Sequence, residues 1–378
     1  MSTPRSLFVV AGERSGDSRG FELLRELQSL LPTLQILGAG GPLIQSLARG
    51  PFLEWTSEAV VGLWDVLKKY QYFKTQFDRM LAQIAEHAPD ALLLIDYPGF
   101  NLRLARAARR RFPSLKILYY ISPQVWAWNR GRIPKMARDL DLMLCIFPFE
   151  KTLYEASGLR TEFVGHPMLD SLAPLKSQLP RRENLVGLFP GSRDRELRRL
   201  FPVMLESARL LHTQLPHLEF EAAAANPAHA AWMQEHLRER HLDPAFCKIG
   251  LDRFYPLTQE ATVGMVCSGT ATLEAAYFGL PMAILYKVAW MTWVVGKQLV
   301  KVPHIGMPNV LAGREIAKEF LQEAAEPALI ARHLHLLLST PSLRAQQQEA
   351  FADVIEQLGQ PGAGARAAAL VAETLRAP

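Results

Sequence analysis

Two short turns built from small residues stand between an apolar stretch and a stretch of helical character. One is Pro190-Gly-Ser-Arg193 and the other is Ser268-Gly-Thr270. The first N–H groups of a helix have no partner within the helix, and the helix dipole favours negative charge at that end. Each turn is therefore typical of a phosphate site. Taken alone, each would serve equally well as an ordinary helix start.

Charged side chains near the two turns help to decide between a phosphate site and an ordinary helix start. Arg193 stands at the first helix start, where a guanidinium can hold two phosphate oxygens at once. Glu274 lies one helical turn into the second helix, where a carboxylate suits ribose hydroxyls better than phosphate. Two such turns in one half of the chain predict a nucleoside diphosphate site. The residues expected to form it are Gly191, Ser192, Arg193, Ser268, Gly269, Thr270, Thr272 and Glu274.

Asp96 is a candidate general base because it directly follows the apolar run 91–95. Burial beside a strand would raise the pKa of this carboxylate toward the working pH, which favours base catalysis on a sugar hydroxyl. The alternative is that Asp96 caps the helix that begins near Asn101, but Asn101 could supply that cap itself. We therefore favour the role of base.

Other loops carry weaker signals. Glycines at positions 12, 16 and 20 do not fit the G-x-G-x-x-G spacing of dinucleotide sites, which argues against NAD. Asp139 and Asp141 precede an apolar strand and so lie at the wrong sheet edge for a metal-dependent sugar-nucleotide site. His166 is interpreted as a structural residue. No His, Cys and Asp cluster has ligand spacing, and we expect neither a metal nor another cofactor.

Bulk composition narrows the class of protein. The chain has 378 residues, enough for two domains, and its net charge of +5 comes without the Lys/Arg runs of a nucleic-acid binder. An anionic substrate or a membrane surface fits this charge better. Three cysteines without Cys-x-x-Cys spacing indicate buried thiols in a reducing compartment. Because the first apolar stretch is too short for a signal peptide, we expect a cytoplasmic protein.

Short apolar strands alternate with helical stretches, which predicts an α/β fold with doubly wound parallel sheets. The sequence after 167 loses this periodicity until 184, so we place a linker there. The expected domains are residues 1–170 and 171–335, followed by a helical tail, 336–378, that packs on the first domain or on a second subunit. The predicted strands are 7–10, 34–37, 91–95, 117–121, 142–147, 186–189, 218–222, 263–267 and 282–286.

Two stretches combine aromatic and basic residues in a way that suits a lipid headgroup layer. The first is a helix predicted over 63–84, whose apolar face we assign to the core. The second is 287–301, which is too short to span a bilayer. An ordinary, partly exposed surface helix remains the alternative for both. The membrane-facing residues predicted for the first stretch are Val60, Val61, Trp64, Lys68 and Tyr72.

Considered together, the motifs resemble those of the lipid-A-disaccharide synthase family, and the resemblance covers essentially the whole chain. The turn at 268 by itself would indicate only the wider GT-B class of sugar-nucleotide transferases. The motifs are Ala11-Gly-Glu-Arg-Ser-Gly-Asp17, Ile95-Asp-Tyr-Pro-Gly-Phe-Asn101, Ser122-Pro-Gln-Val-Trp-Ala-Trp128, Pro190-Gly-Ser-Arg193, Ser268-Gly-Thr-Ala-Thr-Leu-Glu274, Met307-Pro-Asn309 and Leu311-Ala-Gly-Arg-Glu315.

This resemblance implies two Rossmann-like domains facing a cleft and an inverting glycosyl transfer. UDP-2,3-diacylglucosamine would donate its sugar to the 6-hydroxyl of 2,3-diacylglucosamine 1-phosphate, forming a β-1,6 linkage and releasing UDP. Asp96 matches the family's proposed base, and Arg193 and Asn309 match its essential positions, with Asn309 also expected at the UDP-sugar. Gly99 departs from the family, which usually has an acidic residue there, and this argues against a second carboxylate in the loop.

The resemblance also implies an acceptor site in the first domain, reached from the cytoplasmic face of the inner membrane by a peripherally bound protein of lipopolysaccharide biosynthesis. A homodimer with exchanged C-terminal segments is implied as well. Competing interpretations are a UDP-N-acetylglucosamine 2-epimerase, a lipid-linked muramyl N-acetylglucosamine transferase, or a non-catalytic sensor of UDP-sugar or lipid. The residues expected to contact the acceptor are Glu13, Ser15, Gly16, Asp17, Asn101 and Trp126.

Overall fold

The computed structural model describes residues 5–56, 65–178, 180–288 and 303–376. The chain forms two compact units, one of residues 1–170 with 358–378 and the other of residues 171–357. Each unit is built on one parallel sheet, with helices in the connections between strands. The fold predicted from the alternation of strands and helices is therefore confirmed.

The first unit contains a seven-stranded parallel sheet in the order β3-β2-β1-β4-β5-β6-β7. Its central strands are apolar along their whole length because helices cover both faces of a parallel sheet. The strands are β1 (Ser6–Ala11), β2 (Gln35–Gly40), β3 (Phe52–Glu54), β4 (Ala91–Ile95), β5 (Lys116–Tyr120), β6 (Leu142–Cys145) and β7 (Thr161–Phe163). The helices are α1 (Arg14–Leu30), α2 (Pro42–Gln45), α3 (Asp65–His87), α4 (Pro98–Arg111), α5 (Val125–Trp128), α6 (Ile133–Asp139), α7 (Pro148–Glu155) and α8 (Met168–Leu172).

The second unit contains a six-stranded parallel sheet in the order β10-β9-β8-β11-β12-β13. Its strands are β8 (Arg182–Phe189), β9 (Glu219–Ala224), β10 (Cys247–Leu251), β11 (Ala261–Cys267), β12 (Met282–Tyr286) and β13 (Glu319–Leu321). Its helices are α9 (Asp194–Gln214), α10 (Pro227–Glu239), α11 (Phe254–Glu260), α12 (Thr270–Tyr277), α13 (Met307–Ala312), α14 (Pro327–Ser339) and α15 (Pro341–Gln357).

The last helix, α16 (Ala363–Arg376), packs along α1 of the first unit. Asp170 receives a hydrogen bond from the Ala363 N–H at 3.2 Å, and the Arg366 Nε donates to the Val164 carbonyl at 2.8 Å. The tail expected from residue 336 onward is thus divided, because α15 lies in the second unit and only the residues from 358 onward lie in the first.

The strand order reverses at one place in each sheet, between β1 and β4 in the first and between β8 and β11 in the second. Loops that follow strands at such a switch point diverge and leave a crevice at the carboxyl edge of the sheet. Asp96 and the segment Gly12–Asp17 follow β4 and β1, while Arg193 and Ser268 follow β8 and β11. Both sequence motifs of each unit therefore lie at its switch point.

None of the helices in the described ranges is both long enough and apolar enough to cross a lipid bilayer.

Candidate active site

The two phosphate-type turns of the second unit line one pocket of about 250 Å³. They are brought together because β8 and β11 are hydrogen-bonded neighbours in the sheet. Behind them, the small residues at the end of β9 leave space, and two aromatic residues of α11 form a further wall. We call this the switch pocket of the second unit; its lining residues are Phe189, Gly191, Ser192, Ala223, Ala224, Ala225, Phe254, Tyr255, Thr270, Ala271 and Glu274.

The first turn depends on Gly191 and presents Arg193. Gly191 has φ +101°, and a Cβ atom there would lie 2.6 Å from Glu196 Oε2, so neither the backbone nor the space accepts a side chain. The Arg193 side chain is 81 % exposed, and its guanidinium forms an ion pair with Glu196 at 2.8 Å. Exposed pairs of this kind contribute at most about 1 kcal/mol, so a ligand phosphate can compete for the guanidinium.

The second turn opens α12. Gly269 has φ +149°, and within the described residues no atom lies within 4 Å of the position of its missing Cβ. Thr270 is exposed beside it. The hydroxyl of Ser268 donates to the Ile305 carbonyl at 3.3 Å. Thr272 was expected to contact the ligand. It is instead fully buried, and its hydroxyl donates to the Gly269 carbonyl at 2.8 Å.

Asn309 was expected to contact the nucleotide, but its amide is used entirely by the protein. The residue is completely buried; its Nδ2 donates to the Ala317 carbonyl and to Glu319 Oε1, both at 2.7 Å. Its Oδ1 accepts the N–H groups of Ile316 and Ala317 at 2.8 and 2.9 Å. In this arrangement Asn309 shapes a loop, and we infer that it influences the site through that loop.

Glu319 completes this arrangement, although none of the sequence motifs includes it. Its carboxylate accepts the N–H of Gly306 at 2.9 Å and that of Ile305 at 3.0 Å. Since the carbonyl of Ile305 in turn holds the Ser268 hydroxyl, the carboxylate is linked to the second phosphate-type turn. Glu319 lies in β13, a three-residue edge strand whose apolar pattern is too short to be recognised.

In the first unit, Asp96 lies in a strained turn directly after β4. Asp96 and Tyr97 have φ +46° and +49°, values that cost a residue with a side chain about 1–3 kcal/mol each. Neighbours fix this turn: the Asp96 N–H donates to the Tyr120 carbonyl at 2.9 Å, and its carbonyl accepts from the hydroxyl of Tyr119 and, at 2.8 Å, from Asn101 Nδ2. Such stored strain is typical of functional sites.

The ionisation of Asp96 is shifted in the direction that a general base requires. Burial raises its pKa above the ordinary value, a hydrogen bond from the Tyr97 N–H offsets part of this rise, and the negative charge of Glu13 raises the pKa further. A carboxylate with a raised pKa binds a proton more readily than a solvated one, which is the property that a general base uses.

Tyr97 connects this turn to the segment after β1. A Cβ atom at Gly12 would lie 2.1 Å from the Tyr97 ring, so only glycine permits this packing. The ring also contacts Trp55 edge-on with centroids 6.0 Å apart, and the Trp55 indole N–H donates to the Ala11 carbonyl at 2.7 Å. The two loops of this switch point are thereby held against each other.

The residues predicted for acceptor binding divide into exposed and structural ones. Glu13 and Ser15 are exposed at the start of α1, and Gly16 is buried beneath them. Asp17 is only 3 % exposed, and its carboxylate accepts the N–H groups of Gly41, Leu43 and Ile44, so it anchors α2. Asn101 is fully buried and holds the Asp96 carbonyl. Asp17 and Asn101 therefore act on the architecture of the site.

Trp126 is also internal. It is 4 % exposed, its indole N–H donates to Glu150 Oε1 at 2.9 Å, and its ring packs edge-on against Phe149. Burial raises the pKa of Glu150 to about 7 although hydrogen bonds from the Trp126 indole and the Phe147 N–H favour the charged form. We therefore assign Trp126 to the internal support of the loop after β5.

Most of the predicted membrane-facing residues lie outside the part of the chain that the structure describes. Val60, Val61, Trp64 and the side chain of Lys68 lie outside the described residues, and Tyr72 is partly buried on α3. The second stretch, 287–301, also lies outside apart from its first two residues.

The remaining residues that the sequence analysis considered, His166, Asp141 and the cysteines, are bound or buried within the protein. His166 accepts the Met168 N–H at its Nδ1, and burial lowers its pKa to about 4. Asp141 pairs with Arg109 at the amino edge of β6. In the ranges that the structure covers, no three His, Cys, Asp or Glu side chains gather as metal ligands. The three cysteines are buried free thiols.

Two parallel-sheet units, with a pocket between phosphate-type turns in the second, define the class of GT-B sugar-nucleotide enzymes. Solved structures share this fold. A putative UDP-N-acetylglucosamine 2-epimerase from Listeria monocytogenes matches with TM-score 0.60 and 14 % identity over 98 % of this chain and 95 % of that one. MurG from Acinetobacter baumannii matches with TM-score 0.57 and 14 % identity over 98 % and 100 %. At such identity the likeness shows the fold alone.

Sequence comparison identifies the family. A family model described as lipid-A-disaccharide synthetase matches residues 7–374. The lipid-A-disaccharide synthase of Geobacter metallireducens is 39 % identical, covering 98 % of this chain and 97 % of the relative; that of Geobacter sulfurreducens is 39 % identical, covering 99 % and 98 %. The chain belongs to the lipid-A-disaccharide synthase family and is a glycosyltransferase of lipid A biosynthesis.

Proposed function

We propose that the protein transfers 2,3-diacylglucosamine from its UDP derivative to the 6-hydroxyl of 2,3-diacylglucosamine 1-phosphate, with inversion at the anomeric carbon. The acceptor oxygen forms a bond to that carbon as the bond to the diphosphate breaks, and UDP leaves. The observation that carries this proposal is the convergence of two phosphate-type turns and Glu274 on the switch pocket of the second unit.

The second unit stabilises the leaving group. We propose that the diphosphate binds at the starts of α9 and α12, where helix dipoles and backbone N–H groups favour anions, and that Arg193 exchanges Glu196 for phosphate oxygens. Glu274 receives the ribose hydroxyls, and the space beside Ala223–Ala225 takes the base. These groups act as fixed dipoles and charges on the negative charge that develops as UDP departs.

The first unit activates the acceptor. Asp96 takes the proton of the 6-hydroxyl as the oxygen attacks, and its raised pKa suits this transfer. The strained turn held by Asn101 and Tyr119 keeps the carboxylate at the carboxyl edge of β4.

An assay with purified protein, UDP-diacylglucosamine and diacylglucosamine 1-phosphate tests this function, with disaccharide and UDP as products. Asp96→Asn is expected to lower turnover by at least about 100-fold, since general-base catalysis contributes roughly that much. Titration with UDP should give the wild-type affinity, because Asp96 lies outside the switch pocket. Unchanged turnover would remove Asp96 from the mechanism, and a free epimerised sugar in place of disaccharide would contradict the reaction.

Peripheral binding to the cytoplasmic face of the inner membrane is part of the proposal. It is supported by the basic excess of +5 and by the predicted aromatic and basic patch at 60–72. Sedimentation with anionic lipid vesicles tests it: Trp64→Ser should weaken binding, while the control Leu329→Ser, at an exposed leucine of the second unit, should not. Equal binding of both variants would exclude the patch.

We further propose a homodimer with exchanged C-terminal segments. The Cβ position of Gly364 in α16 lies 3.6 Å from Glu22 Cβ in α1, within the range of a disulfide. In the double variant Glu22→Cys/Gly364→Cys, oxidation should link two chains into a covalent dimer on a non-reducing gel. A disulfide formed within one chain, which migrates as a monomer, would contradict the exchange.

A further inference from the structure

A second pocket, of about 420 Å³, lies in the first unit between α3 and the start of α4. It begins at the residue after Asp96 and is separate from the switch pocket of the second unit. We call it the α3–α4 pocket; its described lining residues are Phe73, Lys74, Phe77, Tyr97, Gly99, Phe100 and Arg103.

The wall of the α3–α4 pocket is aromatic. The Phe100 ring contacts those of Phe77 and Phe73, with centroids 5.6 and 6.3 Å apart, and Trp55 packs behind it at 4.8 Å. Phe73, Phe77 and Tyr97 remain partly exposed within the pocket. Aromatic surface left open to water in this way favours an apolar ligand.

The mouth of the pocket is positively charged. Lys74 and Arg103 are both exposed, and in the described part of the chain neither has an acidic side chain within ion-pair distance. Gly99 leaves the space between the elements open, since no described atom lies within 4 Å of its missing Cβ. An apolar cavity with two cations at its mouth matches a molecule that has an acyl chain and an anionic head.

We propose that the α3–α4 pocket binds one acyl chain of the phosphorylated acceptor, with Lys74 and Arg103 holding its phosphate. This inference rests on the proposed function and assigns a place to the acceptor. Because Tyr97 both lines the pocket and directly follows Asp96, a chain and a phosphate fixed there hold the sugar beside the carboxylate. The strained, tightly packed conformation of Tyr97 keeps that relation constant.

Equilibrium binding of radiolabelled 2,3-diacylglucosamine 1-phosphate in neutral detergent micelles tests the charges. Lys74→Ala and Arg103→Ala are each expected to weaken binding by roughly 10- to 100-fold, the usual effect of losing a charge-assisted contact. Arg106→Ala is the matched control, because Arg106 is exposed one turn further along α4 and does not line the pocket. The same lipid without phosphate should bind all four proteins equally.

A series of acceptors with one acyl chain progressively shortened tests the cavity. Each methylene that the pocket buries should contribute about fourfold to wild-type affinity. Gly99→Trp places a ring at the open mouth without a backbone conflict, and it should remove most of this dependence on chain length. Retention of the full dependence in Gly99→Trp would overturn the acyl site.

The outcomes separate this inference from the proposed function. Disaccharide formation by the wild type, combined with undiminished acceptor binding in Lys74→Ala and Arg103→Ala, would overturn the pocket alone. An equal loss in Arg106→Ala would also overturn it, since that result indicates general surface charge. Phosphate-dependent binding that is lost in the two variants, with no disaccharide formed by the wild type, would support the pocket and contradict the proposed reaction.

Discussion

At the scale of single residues, the sequence predicts which residues lie at the end of a strand better than it predicts what their side chains contact. Asp96 and Arg193 lie where their neighbouring sequence predicts, at the carboxyl edges of β4 and β8. Asp17, Thr272 and Asn309 stand in equally distinctive motifs, yet they are buried and bonded to the backbone. A sequence motif does not separate ligand contacts from supporting residues, because both depend on hydrogen bonds that only the folded chain brings together.

The Glu13 carboxylate should influence the pH dependence of catalysis. It raises the pKa of Asp96, although burial is the larger cause. Because a general base acts in its deprotonated form, activity falls as the pH drops through that pKa. Glu13→Gln removes the negative charge, so the acid limb of kcat/KM should move to lower pH, and Ser15→Ala should leave it in place. A shift to higher pH would contradict this coupling.

Asn309 should prove to be a positioning residue. Asn309→Ala leaves several buried groups without partners, and the free energy of unfolding in urea should fall by about 3 kcal/mol or more. The affinity for UDP should fall with it as the loop from 305 to 319 loosens. Asn184→Ala, at an amide bonded to Glu219 on the surface, is the control and should cost less than about 1 kcal/mol. Full stability with complete loss of UDP binding would instead indicate direct contact.

At the scale of elements, every interior strand of both sheets was predictable and every edge strand was missed. The interior strands are buried on both faces and read as continuous apolar runs. The edge strands β3, β7, β10 and β13 span three to five residues and are partly exposed, so they lack that pattern. The switch points could be located because interior strands alone define them.

The start of α12 should depend on glycine. Gly269 has φ +149° and ψ −160°, a region that is essentially restricted to glycine. Gly269→Ala is expected to lower the free energy of unfolding by about 1–3 kcal/mol and to weaken UDP binding, because the turn must change shape. Gly131→Ala, at a position without positive φ, should change neither quantity noticeably. Normal UDP affinity in Gly269→Ala would exclude this turn from the nucleotide site.

At the scale of the whole molecule, the chain leaves the first unit near residue 170 and returns to it after 357. The composition of the tail predicted helices but not where they pack, since alanine-rich faces fit many partners. The structure assigns α15 to the second unit and α16 to the first, where Val371 and Leu375 are buried. The last 21 residues thus complete a unit that begins at the N-terminus.

Removal of residues 358–378 should weaken the first unit selectively. The truncation removes α16, which packs along α1 and also contacts β5. Hydrogen exchange is expected to speed up in α1 and β5, while β8 and β11 keep their protection because their core lies in the other unit. Uniform loss of protection in both sheets would show that the tail supports the whole chain.

A crystal structure with bound UDP would show whether the switch pocket of the second unit holds the nucleotide. We expect the diphosphate within hydrogen-bond distance of the Arg193 guanidinium and the Thr270 N–H, and the ribose hydroxyls at Glu274. A nucleotide bound instead at Gly12–Asp17 of the first unit would contradict it.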